Sequence, residues 1–86
     1  MENKAKRSYY KDEGALIRIG QKIREIRKSK KISQFDLADK CEVDYSQISR
    51  MELGKVNVSI SNFLRVAKAL GIDPREFLDW YDNSET

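Results

Sequence analysis

The chain has no histidine, one cysteine, one proline and four glycines among its 86 residues. A lone cysteine cannot form an internal disulfide, and without histidine beside it no ordinary metal-ligand set can be assembled. No metal and no cofactor are expected. The absence of histidine also removes the commonest general base, and no glycine-rich phosphate loop or room for a deep pocket replaces it. The acidic pairs Asp36/Asp39, Asp79/Asp82 and Asp12/Glu13 therefore read as solvated charges or helix caps, and neither an enzyme nor a small-molecule site is expected. No run approaches the roughly eighteen apolar residues that a membrane span needs. The opening stretch MENKAKRSYYKDEG holds basic residues but no apolar core, unlike a secretory signal. A cytoplasmic protein without a membrane partner is the expectation.

What the chain does have is 40% hydrophobic and 36% charged residues, a balance that suits one small, soluble helical domain. Its charge is unevenly spread. Residues 1–31 hold eleven Lys/Arg against four Asp/Glu, while residues 32–55 and 56–86 each hold three against five. A basic first third beside two mildly acidic ones suits a polyanion partner, although a charged block also serves as a plain solvated face.

Periodicity organises the rest. Residues 1–14 lack it and read as a flexible basic arm, with Lys4, Lys6 and Arg7 of the type that enters minor grooves. Leu16, Ile19, Ile23 and Ile26 then recur at spacings of three and four, the stripe of an amphipathic helix running to about Lys30. Ser33 opens S-Q-F-D, a hydroxyl cap with acidic Asp36 in the first turn. Phe35, Leu37, Ala38 and Cys41 supply the apolar side of that second helix. Asp44 opens D-Y-S-Q, a capping box in form, and the helix after it carries Ile48 and Met51 inward until Gly54 ends it. With only Glu42 and Val43 between the second helix and Asp44, the two helices must cross steeply, as in a helix-turn-helix. Ser59 caps a fourth helix with Ile60, Phe63, Leu64, Val66, Ala67 and Leu70 on its apolar side. Asp73-Pro74-Arg75-Glu76 starts a fifth holding Phe77, Leu78, Trp80 and Tyr81. The expected architecture is all-α, with the domain at residues 15–82 and a polar tail at 83–86.

The third helix carries the functional signal. Steps of about 100° from Ile48 put Ser46, Ser49, Arg50 and Leu53 on its far side, with Tyr45 and Gln47 at the edges. Tyr45, Ser46, Gln47, Ser49 and Arg50 offer phenol, hydroxyl, amide and guanidinium groups where a merely solvated helix would carry Glu and Lys. Such groups can hydrogen-bond base edges in a major groove that admits a helix. Ser33 and Gln34 at one helix start, with Lys55 and Asn57 after the recognition helix, are placed to flank that groove and contact phosphate. Glu52 lies about 40° from Ile48, on the inward side, where an unpaired carboxylate would be costly.

The stretches IGQKIREIRKSKKISQFDLA, VDYSQISRMELGK, VSISNFLRVAKALGI and DPREFL, in this order, resemble the phage-repressor/Cro (xenobiotic-response-element, XRE) type of helix-turn-helix family over roughly Ile19 to Leu78. The resemblance implies a five-helix, lambda-repressor-like DNA-binding domain whose second motif helix is Gln34–Cys41 and whose recognition helix is Tyr45–Leu53. It implies motif core positions at Leu37, Ala38, Val43, Ile48 and Met51, and it sets Arg27 opposite Glu52 as an ion pair. The function implied is transcriptional regulation, as a repressor or activator, by sequence-specific binding to double-stranded DNA. Domains of this kind become specific as homodimers on a palindromic operator. Trp80 and Tyr81 exceed what a small core needs and are candidates for the dimer interface. An antitoxin-like or bridging protein, whose main partner is another protein, is the alternative. The chain departs from the family at Lys31 and Glu42, where glycine is common, and at Val58, where proline is frequent.

Overall fold

The computed structural model describes residues 10–82. The expected arm residues Lys4, Lys6 and Arg7 and the polar tail at 83–86 lie outside that range. Helix α1, Glu13–Ser29, begins inside the stretch expected to be arm, because Asp12 caps it: Oδ1 accepts from Ala15 N at 3.1 Å. Its buried stripe is Leu16, Gly20, Ile23 and Arg27, with Ile19 and Ile26 half-buried. Helix α2, Gln34–Cys41, starts at Ser33, whose hydroxyl accepts from Asp36 N at 3.0 Å. Helix α3, Tyr45–Glu52, and helix α4, Ile60–Leu70, follow. Ser59 caps α4 through Asn62 N at 3.1 Å, and Gly71 ends it at φ 71°.

Lys31 and Glu42 take positive φ, 59° and 58°. These left-handed turns let the chain leave α1 and α2 abruptly, at a cost of about 1 kcal/mol for each non-glycine residue. Gly54 takes φ 72° after α3, where a Cβ would also meet the backbone of Ile17 at 2.6 Å.

The core gathers Ile23, Leu37, Ile48, Val66 and Phe77, each at most 1% exposed, with Ala38, Cys41, Met51, Ala67 and Leu70 around them. Phe63 packs edge-on against Phe77, ring centroids 5.4 Å apart. Arg65 on α4 donates Nη1 to the Cys41 carbonyl at 2.7 Å, satisfying the end of α2. Burial pushes the Cys41 thiol above its ordinary pKa, with Arg65 opposing.

Four further expectations are corrected. The fifth helix is a short 3₁₀ helix, Pro74–Leu78. An α-helix there would carry on by bonding Tyr81 N to the Phe77 carbonyl. Instead the Trp80 indole Nε1 takes that carbonyl at 2.7 Å, and Tyr81 N turns to Leu78 O at 2.9 Å. The capping box at Asp44 does not close: the backbone is extended there, but its carboxylate makes no cap hydrogen bond. Phe35, expected in the core, is exposed, because it stands about 160° around α2 from Leu37. Ile60 and Leu64 also face outward, four residues apart on the flank of the α4 stripe.

Candidate nucleic-acid interface

Helix α3 is held from two sides, on α1 and on α2. Its approach to α1 is close because Gly20 has no side chain: a Cβ there would fall on the Met51 carbonyl oxygen and lie 2.6 Å from that of Glu52. The contact places the C-terminal turn of α3 directly on the backbone of α1. Nearby, Arg27 donates Nε to Glu52 Oε2 at 2.6 Å and Nη2 to Oε1 at 3.0 Å, and Nη1 to the Ile32 carbonyl at 2.7 Å. Both residues are buried, Arg27 at 7% and Glu52 at 5% exposure. Gln34 Nε2 adds a bond to Glu52 Oε1 at 2.8 Å, and the half-exposed Arg24 comes within 4.0 Å of the same oxygen. The Arg27–Glu52 pair thus ties the end of α3 to α1, to the turn after α1 and to the start of α2.

Ser46 and Arg50 point away from this anchor and are exposed, as is Tyr45, while Gln47 and Ser49 are half-buried at the edges of the same face. The helix ends at Glu52, with Leu53 as its C-cap rather than its last turn. Arg50 makes no ion pair among the described residues, so its guanidinium is free to donate outward. Ser46 and Gln47 keep hydroxyl and amide groups for a ligand in the same way.

The flanking residues differ in what they have left to give. Ser33 uses its oxygen as a cap acceptor but retains a hydroxyl proton. Gln34 gives one amide proton to Glu52, so it serves the internal anchor as well as the rim. Lys55 is exposed just beyond α3, its N–H bonded to the Arg50 carbonyl at 2.9 Å. Asn57 donates its amide to the Tyr10 carbonyl at 3.2 Å, which ties down the chain leading into α1. Trp80 and Tyr81 lie away from α3: Arg18 sits over the Trp80 ring at 5.0 Å, and Tyr81 is exposed beside it.

Two residues outside the expected set belong to this surface. Phe35, second in α2, stacks on Tyr45, first in α3, with ring centroids 4.2 Å apart and planes 11° apart. Helical stepping from Leu37 would have found it. Asp44 has an uncapped carboxylate immediately before α3, and no sequence signal distinguishes that from a closed box.

Among the described residues no cluster of side chains suits a metal ion, and no helix is long and apolar enough to cross a membrane. Residues 23–77 match the helix-turn-helix family. The chain is 45% identical over 63 residues to the control protein C.BamHI of Bacillus amyloliquefaciens, covering 72% of this chain and 78% of that protein. It is 41% identical over 54 residues to the immunity repressor protein of Bacillus phage phi105, covering 63% of this chain and 38% of the repressor. The crystal structure of the restriction-modification controller protein C.AhdI from Aeromonas hydrophila superposes with a TM-score of 0.72 at 42% identity, over 74% of this chain and 97% of that one.

Proposed function

Because the chain belongs to the helix-turn-helix family of DNA-binding transcriptional regulators, we propose that it binds a palindromic operator as a homodimer with α3 in the major groove. The genes it controls belong, on this reading, to a restriction–modification system, the kind of system that the related controller protein C.AhdI serves. The observation that carries the proposal is the α3 face: Ser46 and Arg50 exposed and unpaired among the described residues, on a helix whose opposite side is anchored by a buried ion pair. A helix clamped in this way needs no backbone ordering before its donors meet the base edges, which lowers the cost of recognition. Ser33, Gln34, Lys55 and Asn57 flank the groove, with Lys55 the one cation among them.

The homodimer is supported by an apolar surface away from α3. Ile60 is 72% exposed, Leu64 and Leu78 stand out beside it, and a cavity of about 190 Å³ opens next to them between Leu16, Ile19, Val58 and Phe63. A ridge next to a groove of the same chemistry can pair with its own copy about a two-fold axis. Two copies joined there leave both recognition helices free for half-sites roughly 34 Å apart. Trp80 and Tyr81 line a separate cavity with Ile17 and Arg18.

Selection of bound sites from random duplex DNA, with sedimentation of the free protein, tests both halves. A palindromic consensus and a dimer that Ile60→Glu/Leu64→Glu dissociates are the expected results. Enrichment of no sequence would instead favour an antitoxin-like or bridging role with a protein partner.

A further inference from the structure

Phe35 and Tyr45 form a stacked pair on the protein surface. Phe35 is 67% exposed and Tyr45 42%, although an apolar ring gains most when it is buried. They come from different helices, α2 and α3, and meet almost face to face. Phe35 follows Ser33 and Gln34 at the start of α2, and Tyr45 opens the helix that carries Ser46 and Arg50. The pair therefore forms an apolar wall at one end of a face otherwise made of hydrogen-bonding groups.

That position limits what the wall can read. Along the major groove every base edge offers donors and acceptors, and the one apolar group standing out from an edge is the 5-methyl of thymine. The stack also orients the Tyr45 ring before any ligand arrives, since it lies flat against Phe35. A ring that is already ordered loses little freedom on contact. The geometry points to Phe35, supported by Tyr45, as a specificity-determining residue that packs against a thymine methyl group in each half-site. This rests on the major-groove reading of α3 and adds the base class that this end of the interface selects.

The experiment uses the full chain and the consensus that it selects from random duplex DNA. Each thymine in one half-site is replaced in turn by uracil, which removes the methyl group and keeps the hydrogen-bonding edge, and affinities are measured for the native protein and for Phe35→Ala. At one thymine the native protein should bind the uracil duplex about fourfold more weakly, the transfer worth of one methyl group. Phe35→Ala should bind the two duplexes equally, while Arg50→Ala should keep the methyl preference. A consensus in which no thymine is sensitive to uracil overturns the inference, as does a Phe35→Ala variant that keeps the full preference. Absence of any consensus overturns the major-groove reading itself, a distinct result. Phe35 is outside the core, and a circular dichroism spectrum identical to that of the native chain establishes that the variant is folded.

Discussion

Arg27 and Glu52 meet through two hydrogen bonds, Nε to Oε2 at 2.6 Å and Nη2 to Oε1 at 3.0 Å, in a site that leaves the carboxylate side chain 1% exposed. Their remaining polar atoms are occupied by the Ile32 carbonyl and the Gln34 amide. Burying two charges gains little over a well-packed apolar pair, but leaving one without its partner is severe. Glu52→Leu alone should cost about 3–5 kcal/mol, and the double variant Arg27→Met/Glu52→Leu should recover much of it. Urea denaturation of the native chain and the three variants measures this. A double variant as unstable as the sum of the single ones would mean that the pair is not what orients α3.

Gly20→Ala tests the other anchor. The added methyl falls on the Met51 carbonyl, which belongs to a helix end and cannot move aside as a side-chain tip can. Loss of about 1–3 kcal/mol is expected from the forced separation of α1 and α3. Gly14→Ala is the control, with its nearest neighbour, Asp12 Oδ1, at 3.8 Å. It should stabilise by about 0.4–1 kcal/mol through the unfolded state. Thermal unfolding of the two variants distinguishes them, and equal effects would remove close packing at Gly20 as the explanation.

Arg50 and Lys55 should fail in different ways. Arg50→Ala is expected to lose about 1–3 kcal/mol on the selected site and to relax preference at one position in each half-site. Lys55→Ala should weaken binding to all duplexes alike and reduce the salt slope by about one for each protomer. Titrations at several salt concentrations, on consensus and scrambled DNA, read both quantities. Equal losses for Arg50→Ala on the two duplexes, or an unchanged slope for Lys55→Ala, would each reassign the residue.

Asp73 gives the pH prediction. Arg75 holds its carboxyl down to a pKa of about 2, first through the side-chain hydrogen bond and then through the backbone N–H. A carboxyl lowered in the folded state stabilises the fold at any pH above its unfolded value of about 3.9. That contribution fades as pH falls from about 4 towards 2. NMR titration of the Asp73 carboxyl should give a midpoint well below 3.9. In Arg75→Ala the midpoint should move upward, and a midpoint that stays put would show that the pair is not formed in solution.

Much of this architecture was legible because its signals are local. Asp12, Ser33, Ser59 and Asp73 each accept a backbone N–H within three residues, so their capping depends on nothing distant. The turns at Lys31 and Glu42 are likewise set by a few neighbouring dihedral angles. The pairing of Arg27 with Glu52 follows from family resemblance alone, since no local rule relates residues from different helices.

The sequence by itself determined which residues form helices, where most of those helices start and stop, and which chemical groups α3 can offer. Apolar periodicity marks a stripe but not its width, and only packing decided that Phe35, Ile60 and Leu64 remain outside. Asp44 has the letters of a capping box, yet its carboxylate stays uncapped. Asp73-Pro74 has the start signal of an α-helix, yet the chain forms only a 3₁₀ helix before the Trp80 indole takes the Phe77 carbonyl. The Phe35–Tyr45 stack was decided in the same way, because two rings ten residues apart in sequence meet only after α2 and α3 have crossed.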